Sequence, residues 1–182
     1  MSGHLIETDR LILRRWAARD LAPFAALNAD PEVMRHFPKP LDPAESDAMV
    51  ARMEDRWAED GVGLAVAERK GDGAFLGMVG LARVRFAPLA GAVEVGWRLA
   101  RAHWGNGYAT EAAKAWLGHG FGTMGLPEIV AFTVPANLAS RRVMRRIGLR
   151  RDPARDFDHP SLPAGHGLRA HVVYALAPEG GG

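Results

Sequence analysis

The sequence predicts an α/β chain built on a mixed central β-sheet with helices on both faces. Three observations carry this. Strand-like runs fill most of 62–99, after an opening strand and two helices. Two strand–helix units follow, at 92–121 and 129–148. A last strand, 170–176, closes the pattern. No repeat or linker divides the 182 residues, so the reading is one domain over 1–182.

Each element has a local reason. Residues 8–16 read as a strand, because Leu11 and Leu13 alternate with Ile12 and Arg14. Asp20 is placed to cap a helix with Leu21, Phe24 and Leu27 on one side, ended by Asp30-Pro31. Asp42-Pro43 has the form of a second helix start, and that helix runs to about Glu59 and stops near Gly61. Runs 62–68 and 74–86 pair as a hairpin across Gly71-Asp72-Gly73. Strand 92–99 leads through a glycine turn into a helix over about 108–121, striped by Ala109, Ala112, Ala113, Trp116, Leu117 and Phe121. After strand 129–134, Asn137 opens a helix with Ala139, Val143 and Ile147 one turn apart, and Gly148 closes it. Apart from the tail 180–182, no segment is of low complexity.

Composition narrows the chemistry. The chain has no cysteine, which excludes disulfides, thiolate catalysis and cysteine-ligated zinc. Its seven histidines form no His-x-x-x-His pair, so no metal site is expected. The 48% hydrophobic and 24% charged fractions are those of a globular protein with a real core. No apolar run approaches the ~20 residues of a membrane span, and charges at Glu7, Asp9 and Arg10 break any signal-peptide pattern, so no membrane partner and a cytoplasmic location are expected. Arginines 141, 142, 145 and 146 crowd one helix, but without interleaved aromatics for base stacking, so a solvated face is preferred over a nucleic-acid partner.

Three constellations carry chemistry. Gly105 and Gly107 lie between a strand and a helix, where backbone N–H groups converge and the helix dipole adds positive potential, a place for phosphate or pyrophosphate. On Gly-x-Gly alone an ordinary turn serves equally well. Thr110 replaces the third glycine of a dinucleotide fingerprint, and no P-loop Gly-Lys-Ser/Thr is present. Asn137 and Ser140 share the first turn of the next strand–helix unit, either as a simple cap or as polar groups at the same sheet edge. Glu94 stands in an apolar strand between Val93 and Val95, where burial raises a carboxyl pKa toward general-base range, unless it faces solvent.

Together these residues resemble the GNAT N-acetyltransferase superfamily, whose signature is Gln/Arg-x-x-Gly-x-Gly/Ala. Here that segment reads Trp104-Gly105-Asn106-Gly107-Tyr108-Ala109. Tryptophan in the first place and the continuation Thr110-Glu111-Ala112 look like the branch of ribosomal-protein alanine N-acetyltransferases of the RimJ/RimL type. Further segments match that branch in order: Glu7-Thr8-Asp9-Arg10-Leu11-Ile12-Leu13-Arg14 its opening strand, Asp30-Pro31-Glu32-Val33-Met34 the loop after its first helix, Glu94-Val95-Gly96-Trp97 its bulged fourth strand, and Asn137-Leu138-Ala139-Ser140-Arg141 with Ile147-Gly148-Leu149 its second motif.

The resemblance implies a splayed sheet of about seven strands flanked by helices, and acetyl-CoA as cofactor. Pantetheine would lie between the strand of Glu94 and the strand ending at Val134, pairing near Trp97 and Leu99. Trp104, Gly105, Asn106, Gly107, Tyr108, Ala109 and Thr110 would surround the pyrophosphate. Asn137 would contact pantetheine or the amine, and Arg142 an adenosine phosphate. Acyl transfer to a primary amine would be direct, with Glu94 as base, through water, and Asn137 and Ser140 in the catalytic set. Met144 stands where many members have a proton-donating tyrosine, which leaves Ser140 as the candidate donor to the thiolate. His36, Phe37, His159 and His171 would line the acceptor side, against a bland reading as surface or packing residues. The expected substrate is a small-molecule or peptide amine. A protein N-terminal acetyltransferase and a non-catalytic acyl-CoA sensor are the alternatives, and a homodimer is left open.

Overall fold

The computed structural model describes residues 4–178, so the tail 180–182 lies outside them. One sheet runs in the order β1-β2-β3-β4-β5-β6-β9-β7, with β8 on β9. The strands are β1 (His4–Glu7), β2 (Leu11–Arg14), β3 (Leu64–Arg69), β4 (Phe75–Arg83), β5 (Val93–Leu99), β6 (Ile129–Thr133), β7 (Arg150–Arg151), β8 (Phe157–Asp158) and β9 (Ala170–Leu176). The helices are α1 (Leu21–Ala29), α2 (Pro31–Met34), α3 (Pro43–Asp60), α4 (Tyr108–Gly122) and α5 (Leu138–Arg146).

Among the described residues nine strands stand against about seven implied by the resemblance and six read segment by segment; the three beyond those six are short ones with no pattern read for them. β1, β7 and β8 have four, two and two residues and exist through their partners. The opening segment is therefore two strands. Thr8 turns the chain between them, its Oγ1 accepting from Leu11 N–H at 3.0 Å. The anticipated strand 74–86 leaves the ladder after Arg83. The segment read as a bulged strand is β5, whose pairing with β4 is unbroken from Gly77↔Leu99 to Arg83↔Val93. Register shifts instead between β3 and β4, after Ala67↔Gly77, and between β1 and β2, from His4 to Ile6.

Alternation splits the sheet into two faces. Leu11, Leu13, Ala65, Ala67, Val79, Leu81 and Val95 belong to the core that includes Ala112, Ala113, Trp116 and Leu117 of α4. Met78, with Leu64 and Phe75, belongs to the core of Phe24, Leu27, Val33, Val50 and Met53 from α1, α2 and α3. Trp57 of α3 meets Trp116 of α4 edge-on, ring centroids 6.2 Å apart.

Helix ends follow local chemistry. Asp42 and Glu45 form a capping box at α3, and Gly61 ends it in the left-handed region at φ 69°. Asp30 caps α2 through Glu32 N–H at 2.8 Å. Asp20 does not cap α1. Its carboxylate is committed to Arg14, at 2.7 and 2.8 Å, and to Ala17 N–H at 2.8 Å. Arg14, only 6% exposed, is also held by Glu68 at 2.8 Å. A buried cation stripped of a carboxylate is strongly destabilising. Asp20→Ala is therefore expected to cost about 3 kcal/mol, read as a lower urea midpoint at unchanged slope.

Candidate active site

β5 and β6 are parallel neighbours, yet they share one register pair, Glu94↔Val130. β5 keeps its ladder to β4 as far as Leu99, and β6 pairs with β9 from Ile129 to Thr133. Each strand is held on its outer side while the inner edges part. A cleft of about 790 Å³ opens at this splay.

The glycine turn forms one end of the cleft. Gly105 and Gly107 adopt φ 78° and 81°, the left-handed region that side chains disfavour. Gly107 is the N-cap of α4 and offers no side-chain cap. The first α4 bond to its carbonyl comes from Glu111 N–H, which leaves the N–H groups of Tyr108, Ala109 and Thr110 ahead of the ladder. Gly105, Gly107, Tyr108, Ala109 and Thr110 all line the cleft, as does Trp104. The Trp104 indole N–H donates to Leu99 O at 2.8 Å, tying the turn to the end of β5. Asn106 does not line the cleft. Its amide folds onto the carbonyls of His103 and Trp104, at 3.2 and 3.0 Å.

A brace from the other end of the chain fixes this turn. Arg10 donates to Asn106 O at 3.0 Å and to Glu111 at 2.6 Å. Thr8 and the Arg10 backbone N–H also donate to Glu111, at 2.5 and 3.0 Å. Arg10 further lies over the Tyr108 ring, 4.6 Å from its centroid. Thr8-Asp9-Arg10 and Thr110-Glu111 thus form a single unit across the fold.

α5 supplies the opposite wall. Asn137 caps it, accepting from Ser140 N–H at 3.2 Å, and donates to Thr133 Oγ1 at 3.0 Å. The cap reading therefore describes its hydrogen bonds, while its side chain still borders the cleft. Ser140 is half-buried and lines the cleft, and its hydroxyl makes no hydrogen bond among the described residues. Met144 is 2% exposed and belongs to the core. Arg142 and Arg146, one turn apart, line the cleft with no ion-pair partner among the described residues. Arg141 instead braces Tyr174 OH at 3.1 Å and Pro135 O at 2.9 Å.

Glu94 lies beside the splay's vertex. Its side chain is on the sheet face of α1–α3, with Gly96 and Arg98. Burial pushes its carboxyl up to about 7, and the charge of Arg56 on α3 only partly opposes this. No hydrogen bond to the Glu94 carboxyl is made among the described residues. A carboxyl that titrates near neutrality is, in its ionised form, suited to take a proton from an ammonium.

The expected acceptor residues His36, Phe37, His159 and His171 all border the cleft. His159 and His171 join Phe86, Phe132 and Phe157 in one aromatic cluster, with the two imidazole centroids 5.2 Å apart. Burial holds His36, His159 and His171 below the usual histidine range, which favours neutral rings at pH 7. His171 Nδ1 lies 3.0 Å from Arg169 O, so that nitrogen carries the proton and Nε2 its lone pair.

Sequence reasoning missed Arg98, Phe86 and Phe132. Phe86 lies in the loop after β4 and Phe132 near the end of β6, and both gain meaning only through partners distant in sequence. Arg98 had a usable signal, a third non-aliphatic residue at period two after Glu94 and Gly96. Among the described residues no group of three or more His, Asp or Glu could hold a metal ion, and no helix is long and apolar enough to cross a membrane.

Residues 10–150 match the acetyltransferase (GNAT) domain model. The chain is 38% identical to the Bacillus subtilis protein YkkB over 78% of its length and 83% of the relative's. It is 30% identical to the uncharacterized N-acetyltransferase YnaD of the same organism, over 96% and 97%. A crystal structure of an acetyltransferase from Agrobacterium tumefaciens superposes with TM-score 0.76 at 29% identity, covering 94% of this chain and 92% of that one. Ribosomal-protein acetyltransferases of the RimJ and RimL type share the fold at 23% and 15% identity, a likeness of fold alone. The expected sheet with its parted strands, the glycine turn, and the match over most of the chain place this protein in the GNAT acetyltransferase family, as an N-acetyltransferase.

Proposed function

We propose that this chain binds acetyl-CoA along the β5–β6 splay and acetylates a primary amine held on the α1–α3 side of the cleft. One observation carries the reading: the free N–H groups at the start of α4 open into the same cleft as Glu94 and Ser140.

The residues fit that cofactor. Three uncapped N–H groups, the positive end of a 15-residue helix and the unpaired Arg142 and Arg146 suit a pyrophosphate and a further phosphate. The inner edge of β5 beyond Glu94 is unpaired and can take an extended, amide-bearing arm as an added strand. When bound, acetyl-CoA supplies the acetyl group as a thioester.

Glu94 accepts a proton from the acceptor ammonium, directly or through water, because its carboxyl titrates near the pH at which it must work. Gly96 pairs with Gly80 of β4, so beyond the Glu94↔Val130 pair the first β5 N–H turned toward the splay is that of Trp97, which can stabilise negative charge on a carbonyl oxygen. Ser140, with a hydroxyl uncommitted to protein, can donate to a leaving sulfur. The absence of any cysteine favours direct transfer over a cysteinyl intermediate. The acceptor is a small-molecule or peptide amine.

Outcomes are expected at three residues, Glu94, Ser140 and Glu111. In wild type, kcat/KM for a fixed amine rises with pH and levels off above about 7, as Glu94 loses its proton. Glu94→Gln flattens that limb and lowers turnover by about 10²-fold. The sign for stability is opposite. A folded-state pKa raised by burial means that ionisation is disfavoured in the fold, so a penalty grows as pH rises from the unfolded value near 4.5 to about 7. Glu94→Gln should therefore melt above wild type at pH 8 and close to it at pH 4; equal melting temperatures at pH 8 would contradict the burial. Ser140→Ala should lower kcat by about tenfold with little change in the KM for acetyl-CoA, which steady-state thiol release will measure. Glu111→Gln loosens the turn without touching the cleft, so it should raise that KM about tenfold and leave kcat nearly unchanged.

A further inference from the structure

Two arginines of this chain are buried, and they are treated differently. Arg14, 6% exposed, is paired with both Asp20 and Glu68. Arg98, 8% exposed, has no carboxylate at ion-pair distance among the described residues, and burial alone accounts for its pKa falling to about 10. It remains a cation at neutral pH. An uncompensated buried charge is costly, and folds that keep one at a cleft use it for binding.

The guanidinium is held in place by neutral groups. Nη1 donates to Asn28 Oδ1 at 2.6 Å and contacts Met49 Sδ at 3.7 Å. Asn28 is oriented in turn by its own donation to Ser46 Oγ at 2.9 Å. The Phe37 ring covers one face of the guanidinium, 4.1 Å from its centroid. Nε is sealed and unsatisfied. Nη2 makes no hydrogen bond among the described residues and is not one of the sealed atoms, so it is the nitrogen left toward the cleft that Arg98 lines.

Arg98 and Glu94 lie on one face of β5, four residues apart, with Cα atoms ~13 Å apart at strand rise. Between them stands Gly96. A Cβ there would meet Leu64 Cδ2 at 3.7 Å and nothing closer, so no side chain of β5 fills the floor between the two charges. One end of this floor takes up a proton and the other holds a fixed positive charge.

We propose that Arg98 is a specificity-determining anion subsite, and that the acceptor is an amine that also carries a carboxylate, of amino-acid to short-peptide size. This rests on the acetyl-transfer reading above. Asn28, Ser46 and Phe37 act as positioning residues for the guanidinium. A single carboxylate matches the one open nitrogen and the single charge to be neutralised.

The test is thiol release from acetyl-CoA with matched acceptor pairs: phenylalanine against phenylethylamine, lysine against cadaverine, and dipeptides against their C-terminal amides. Wild type, Arg98→Met and Arg98→Lys are compared. Wild type is expected to favour the carboxylated member by about 10²-fold in kcat/KM. Arg98→Met should bring that ratio close to one with the KM for acetyl-CoA unchanged, and Arg98→Lys should keep part of it. The dipeptide arm separates a free amino acid from a peptide C-terminus as the source of the carboxylate. Turnover of both members at equal rates by wild type, or an unchanged ratio in Arg98→Met, overturns the Arg98 assignment and leaves acetyl transfer standing. The wild-type ratio alone decides if Arg98→Met fails to fold. No thiol release from any pair overturns both readings.

Discussion

The structure depends on one constraint: β5 and β6 run parallel but pair at a single position, Glu94↔Val130. Parallel strands ordinarily satisfy each other's backbone groups along their length. Here β4 and β9 hold the outer edges while the inner edges diverge, which leaves backbone groups facing a cleft. The strands point their C-terminal ends toward the glycine turn and toward Asn137. Ligands in open α/β sheets collect outside the carboxyl ends of strands. The location of the cleft therefore follows from topology before any side chain is considered.

The side chains then divide the cleft by charge. The phosphate end collects free helix N–H groups and the unpaired Arg142 and Arg146. The vertex holds a carboxyl that burial keeps near neutrality. The α1–α3 face adds a fixed cation at Arg98, and the β9 side adds aromatic rings with two imidazoles that burial keeps neutral. None of these groups is neutralised by a neighbour in the way that Asp20 and Glu68 neutralise Arg14. Along the cleft the charged groups are left for a ligand to meet, whereas the Arg14 pairing in the body of the fold serves stability.

Much of this was legible in the residues, for a physical reason. Caps, glycine turns and alternation are local, so α3, α4, α5 and the central strands were read within a few residues of their observed ends. The Gly105–Gly107 turn was legible because positive φ demands glycine. What escaped was long-range. Asp20 had the form of a helix cap but is committed to Arg14, which the register of β2 against β3 buries beside Glu68 as well. Glu111 looked like part of a motif, yet its use is to hold Arg10 and Thr8 across about a hundred residues of sequence. Asn106 sits within the signature but turns its amide back onto its own loop. β1, β7 and β8 are too short to have a periodicity.

The central claim is that the splay and the turn after β5 form a coenzyme site. Amide hydrogen exchange of the whole chain, with and without coenzyme A, tests this most directly. Tyr108, Ala109 and Thr110 precede the first α4 bond, so their amides should exchange fast in the free protein. Coenzyme A should slow exchange across 105–110 and along the inner edge of β5, and leave the β1–β2 edge unchanged. Binding of coenzyme A with no protection at 105–110, or with protection centred elsewhere, would contradict the account.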